Sequence, residues 1–437
     1  MSEPLNLDAW WMPYTANRAF KSDPRMIVGA TGNYFRTDDG REVFDSLSGL
    51  WCCGAGHNIP AINDAIASQL ATCDFAPSFQ YGHPLAFRLA DRISDFTPEG
   101  LNRVFFTNSG SECADTSLKI ARSYWRAMGQ PAKTRLIGRV KGYHGVNFGG
   151  MSVGGIGANK KLFGPALDTD HLSSTLLADN RFSCGMPQQG EYLAEELLEL
   201  IALHDASNIA AVIVEPMSGS AGVIVPPVGY LQRLREICTA NNILLIFDEV
   251  ITAFGRCGAN TGAEAFGVTP DIMNVAKQLT NGIVPMGAVI VREEIYNTFM
   301  ETDAPRHAIE LPHGYTYSGH PLACAAALAM LDHLAEARLV EQSAGLAAVL
   351  EREIHALRDC PHVVDIRNYG LAGAIQLAPR NGDPMIRPYE AGVALWKAGF
   401  YVRWGGDTLQ FGPPFTSTEQ ELHDLFAAVG DTLHATA

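Results

Sequence analysis

Six short, almost uninterrupted apolar runs constrain this chain more than any other feature. They are "RVFFTN" (103–108), "TRLIGRV" (134–140), "NIAAVIVEP" (208–216), "NILLIFDEV" (242–250), "DIMNVA" (271–276) and "GAVIVR" (287–292). Each is too short for a buried helix. Most are continuous and do not alternate with polar residues, as a strand wetted on one face would. Runs of this kind are strands covered by helices on both faces. Helical patterns at 111–125, 192–204 and 229–240 lie between some of them. The expectation is an α/β fold with a mainly parallel central sheet.

At 437 residues the chain is long enough for two or three units. Past about residue 320 the rhythm changes. Two long helical patterns (321–336 and 339–357) lead to short strands near 363–378 and 400–412. The first 55 residues carry the hairpin signal "TDDGREVFD" (37–45) and no long helix. Three parts are therefore expected: an N-terminal segment (1–55) joining a small domain, a large domain (56–318), and a C-terminal α+β small domain (319–437).

Composition excludes several classes of function. With 47% hydrophobic and 18% charged residues the chain has the balance of a globular protein. A net charge of −15 with no basic cluster beyond "NKK" (159–161) gives no footprint for nucleic acid or an anionic membrane. The longest apolar run, "ACAAALAML" (323–331), is too short to span a bilayer, and "MSEPLNLDAWWMPY" lacks the plan of a signal peptide. A cytoplasmic enzyme of small-molecule chemistry is expected. Nine scattered cysteines without a C-x-x-C pair read as reduced, buried small hydrophobes, and no metal-ligand motif occurs.

The chemistry sits where the runs end. "TNSGSE" (107–112) places Ser109, Gly110 and Ser111 between a strand and a helix, where free N–H groups and hydroxyls suit a phosphate. The same residues could simply cap the helix. "IFDEV" puts Asp248 at a strand's carboxyl end, where open α/β sheets bind ligands. "DIMNVAK" ends on Lys277, and a lysine among apolar groups has its ammonium form disfavoured. "GYHG" offers Tyr143 and His144 as rings to stack on a ligand. A phosphate cradle, an acid for a ring nitrogen, a nucleophilic lysine and an aromatic cover are the parts of a pyridoxal 5'-phosphate (PLP) site. "GMSVG" around Ser152 has the spacing of a serine-hydrolase elbow, but it lacks the flanking strand and helix, so Ser152 reads as a residue of a glycine-rich loop.

These motifs resemble those of class III (subgroup II) aminotransferases of fold type I, nearest the ω-amino acid:pyruvate branch. "GLWCCGAGH" (49–57), "KGYHG", "SVGGIGANKKLFG" (152–164), "VEPMSGSAGV" (214–223), "FDEVITAFGR" (247–256), "AKQLTNG" (276–282) and "HGYTYSGHPLACAAALA" (313–329) carry the likeness along nearly the whole chain. The resemblance implies that Lys277 is the Schiff-base lysine, Asp248 the partner of the pyridine nitrogen, and Ser109 to Ser111 the phosphate cradle. Tyr143 and Val250 would cover the two ring faces, with Glu215 near the ring hydroxyl. Thr316, and less directly Tyr317, would reach the neighbouring subunit's phosphate in a homodimer with shared sites, leaving a tetramer open. Arg403 in "YVRWGGDT" would clamp the substrate carboxylate and Trp51 would line the pocket, with bulky Trp404 beside the clamp. The implied reaction moves an amino group from an ω-amino acid, β-alanine foremost, to pyruvate. Taurine, 4-aminobutyrate and aromatic amines are alternative donors, a fold-sharing mutase or decarboxylase stands further off, and a serine hydrolase or a non-catalytic binding protein is the contrasting class.

Overall fold

The computed structural model of the chain describes residues 5–164 and 167–436, so the first four residues of the N-terminal stretch lie outside it. An antiparallel meander comes first: β1 (Ile27–Thr31), β2 (Tyr34–Thr37) and β3 (Glu42–Asp45). The central sheet follows, with β4 (Leu101–Thr107), β5 (Arg135–Arg139), β6 (Thr169–Leu172), β7 (Ile209–Val214), β8 (Leu244–Asp248), β9 (Ile272–Val275) and β10 (Gly287–Arg292). Their spatial order is β4-β10-β9-β8-β7-β5-β6.

Connection length sets strand direction. Helices Gly110–Ala127, Glu196–His204, Tyr230–Ala240 and Gly262–Phe266 supply crossovers, and the pairs β5/β6, β5/β7, β7/β8 and β8/β9 are all parallel. Between β9 and β10 there is only the short turn Lys277–Thr280 and a loop. Without a crossover helix the chain must turn back, and β10 is antiparallel to both β9 and β4. The continuous apolar runs are explained by burial on both faces: every residue of β7, β8 and β9 is buried.

The remaining strands are β11 (Val363–Tyr369), β12 (Ala372–Leu377), β13 (Phe400–Tyr401), β14 (Arg403–Gly405) and β15 (Thr408–Phe411). Four of them form the sheet β11-β12-β15-β14, while β13 pairs parallel with β3. Residues 400–405 thus leave one sheet and enter another, so both ends of the chain share structure. The helix Pro321–Glu336 serves two cores at once: Cys324, Ala327 and Leu331 face the central sheet, and Ala326, Met330 and Leu334 face the C-terminal one.

Arg256 ties these parts together. It is 1% exposed. Its guanidinium donates to Leu371 O (2.9 Å), Pro413 O (2.8 Å) and Ser48 Oγ (3.0 Å), and lies between the rings of Trp51 and Phe415. Two readings from sequence need correction here. All nine cysteines are free thiols, but only Cys113, Cys238, Cys257 and Cys324 are buried, because the others lie near loops and helix ends. Ser152 lies on the short helix Phe148–Val153 and not in a loop. Its hydroxyl donates to Phe148 O (2.6 Å) and accepts from Leu167 N (3.1 Å), which holds it in a structural role. No helix among the described residues is long and apolar enough to cross a membrane.

Candidate active site

Five parallel strands deliver their carboxyl ends to one place, a cavity of about 290 Å³. The segment after β4 brings Ser109, Gly110 and Ser111 to its wall; β5 leads to Tyr143, β7 to Glu215, β8 to Asp248 and Val250, and β9 to Lys277. Ligands of open α/β sheets bind at such ends.

Backbone geometry shapes the phosphate end. Ser109 caps the helix Gly110–Ala127, its hydroxyl accepting from Glu112 N (3.2 Å). The first N–H groups of that helix, on Gly110 and Ser111, have no intrahelical partner and point toward an anion placed there. Glu112 fixes the preceding turn by accepting from Asn108 N (2.7 Å) and Nδ2 (2.9 Å). Gly145 closes the other side with φ +86°, and a Cβ there would lie 2.4 Å from Ser111 Oγ. A Cβ on Gly110 would press on Val250 at 3.0 Å. Both glycines let two backbone segments meet around the cavity mouth.

Lys277 leaves β9 in the left-handed region (φ +50°), a conformation that costs a β-carbon residue about 1–2 kcal/mol. Strain of this size persists only where neighbours impose it. The lysine lines the cavity, and burial pushes its ammonium pKa down. Cys52, Asp248 and Glu215 oppose that shift, and Arg403 adds to it. A larger fraction of free amine is the consequence. Glu215 accepts from Tyr143 N (2.9 Å), while burial raises its carboxyl to about 7 against the pull of His144. The Tyr143 phenol is also pushed up, by burial first and by its neighbour Tyr14 next, with Arg403 opposing.

Asp248 is 5% exposed and faces the cavity with a buried histidine behind it: His144 Nδ1 lies 2.8 Å from Asp248 Oδ2. This corrects the expectation that His144 stacks on a ligand. The pair makes His144 a support of the carboxylate, since its ring is engaged edge-on and does not reach the cavity wall. Trp51 also departs from expectation. It is 3% exposed, follows a kink in which Gly49 and Trp51 both take positive φ, and lies on Arg256 and Gly412 in the core; its neighbour Cys52 reaches the cavity instead.

Arg403 lies on the wall of an adjoining cavity, near enough for its charge to bear on Lys277 and Tyr143. Trp404 shares that wall, its indole packed against Gly392 of the preceding helix Ile386–Lys397, where a Cβ would come within 2.0 Å. Thr316 and Tyr317 are exposed and lie off the cavity wall. Among residues that carried no assigned role from sequence, Glu112 had a readable signal in its S-x-x-E spacing from Ser109. Asn108 and Cys52 on the wall had none.

The donor set fits PLP: hydroxyls and free N–H groups for a phosphate, a carboxylate for a ring nitrogen, and an amine whose ammonium form burial disfavours. Comparison with known proteins agrees. The family model for class-III aminotransferases matches residues 15–433. The chain is 64% identical to the beta-alanine--pyruvate aminotransferase of Pseudomonas aeruginosa, over 100% of this chain and 98% of that one. It is 61% identical to the omega-amino acid--pyruvate aminotransferase of Pseudomonas putida, over 99% and 97%. An amine transaminase from an uncultivated Pseudomonas species, solved in its PLP-bound form, superposes with a TM-score of 0.91 at 35% identity, covering 98% of this chain and 99% of the other. The cavity at the ends of these five strands is thus seated in a fold and a sequence of one kind, and the chain belongs to the PLP-dependent class-III aminotransferase family.

Proposed function

We propose that the protein transfers the amino group of an ω-amino acid, β-alanine foremost, to pyruvate, giving malonate semialdehyde and alanine. The observation that carries this reading is the shared wall of Lys277, Asp248 and the Ser109–Ser111 cradle, in a chain 64% identical to a relative named for that reaction. Bound PLP supplies an electron sink for the carbon that bears the donor nitrogen. Lys277 would hold the cofactor through its amine, and its Nζ would be placed to move a proton at that carbon. Asp248, held by His144, keeps the pyridine nitrogen protonated. Ser109, Gly110 and Ser111 hold the phosphate, Tyr143 and Val250 cover the ring faces, and Glu215 stands near the ring hydroxyl. Arg403 takes the substrate carboxylate in a guanidinium fork.

The same reading extends to assembly and organisation. Residues 1–55 complete a small domain with 319–437, around a large domain of 56–318. The exposed Thr316, with Tyr317 next to it, reaches the phosphate of a second copy in a cytoplasmic homodimer. The test is kinetic: kcat/KM with pyruvate for β-alanine, taurine, 4-aminobutyrate and an aromatic amine. β-Alanine should rank first, with parallel double-reciprocal lines as the acceptor is varied. A higher value for another donor would replace the donor assignment, and absence of alanine formation with every donor would overturn the reaction.

A further inference from the structure

A second cavity, of about 380 Å³, adjoins the first beneath the N-terminal segment, with Tyr14, Phe20, Arg25, Tyr401, Arg403 and Trp404 on its wall. Two of these side chains are guanidiniums, and no residue along the wall is acidic, in a chain of net charge −15. Arg403 Nε is buried without a hydrogen-bond partner. Arg25 is held by aromatic faces, 5.2 Å from the Phe20 ring centre and 6.0 Å from that of Trp404, with one long contact to Asp23 O (3.5 Å). Cation–π contacts fix a guanidinium in place without neutralising it. Both forks are thus left to pair with an anion, and a planar carboxylate matches their geometry.

The two arginines stand at different depths. Arg403 is the deeper of the two, its Nε buried, whereas the one polar contact of Arg25 lies at the exposed surface. The rest of the wall is largely apolar and aromatic, which suits a methylene chain and no further charge. We propose that Arg25 is a second carboxylate anchor that sets donor chain length: short ω-amino acids end at Arg403, and donors with several more methylenes end at Arg25. The inference rests on the ω-amino acid reading above and adds a specificity residue to it.

The test uses PLP-loaded wild type, Arg25→Gln and Arg25→Lys, with 6-aminohexanoate and β-alanine as donors to pyruvate. In Arg25→Gln the ratio of kcat/KM for 6-aminohexanoate to that for β-alanine should fall about tenfold, through KM, and Arg25→Lys should recover part of it. An unchanged ratio, or an equal loss with both donors, would overturn the proposal. Calorimetric titration with adipate, which has no amine to transfer, separates this from failure of the donor reading. Adipate binding weakened about tenfold in Arg25→Gln supports the anchor even if no ω-amino acid turns over, and equal affinities for the two proteins would refute it.

Discussion

His144 Nδ1 lies 2.8 Å from Asp248 Oδ2, both side chains are buried, and Asp248 alone of the two faces the cavity. The carboxylate is therefore oriented from behind by a ring that is not on the cavity wall. Replacing His144 with Phe leaves a buried carboxylate oxygen unpaired, at a cost of about 1–3 kcal/mol. The expected outcome is a Tm lowered by several degrees and a kcat lowered about tenfold or more, with KM for pyruvate little changed. Thermal melts and steady-state kinetics on the same preparation check both.

Glu215 supplies a pH prediction. Its folded pKa, about 7, lies above its ordinary 4.5, so between those values the folded chain keeps a proton that the unfolded chain has lost. This contribution to stability is full below pH 4.5 and disappears as pH rises through 7, on the order of 3 kcal/mol at most. Glu215→Gln preserves the acceptor for Tyr143 N and removes the titration. Melts of the cofactor-free proteins from pH 5 to 8 should show a fall in Tm for wild type that the variant lacks in part.

Gly145 tests the cradle. An alanine there meets Ser111 Oγ at 2.4 Å and sits at φ +86°, so the chain must shift at the helix's N-terminal end. Gly145→Ala should weaken PLP binding at least tenfold while the far-ultraviolet dichroism stays native. Fluorescence titration of the cofactor-free protein measures the affinity.

Arg256 tests the junction between the two ends of the chain and the central sheet. Arg256→Met removes three hydrogen bonds to buried acceptors on Ser48, Leu371 and Pro413. At about 1 kcal/mol each the loss is about 3 kcal/mol, and denaturant unfolding should show it as a lower midpoint.

Much of this fold and site is legible in the amino-acid sequence. The continuous runs gave β7, β8 and β9, because burial on both sheet faces leaves no room for alternation. Asp248, Lys277 and the Ser109–Ser111 turn were readable because chemistry collects at strand ends, and strand ends are visible in sequence. What escaped depends on contacts between distant positions. His144 and Asp248 are 104 residues apart, so nothing local tells a stacking ring from a supporting one. Trp51 is an aromatic beside apolar residues whether it lines a pocket or fills a core, and only its packing on Arg256 and Gly412, distant in the chain, distinguishes the two. Ser152 reads as a loop residue because its glycines mask a helix of six residues.

Lys277 is the residue proposed to attach the cofactor. Borohydride reduction of the PLP-loaded protein, followed by proteolysis and mass spectrometry, tests it directly. The account predicts one modified peptide carrying the cofactor mass on Lys277, and none from Lys277→Ala. Modification of another lysine, or an unmodified Lys277 peptide in an active preparation, would contradict it.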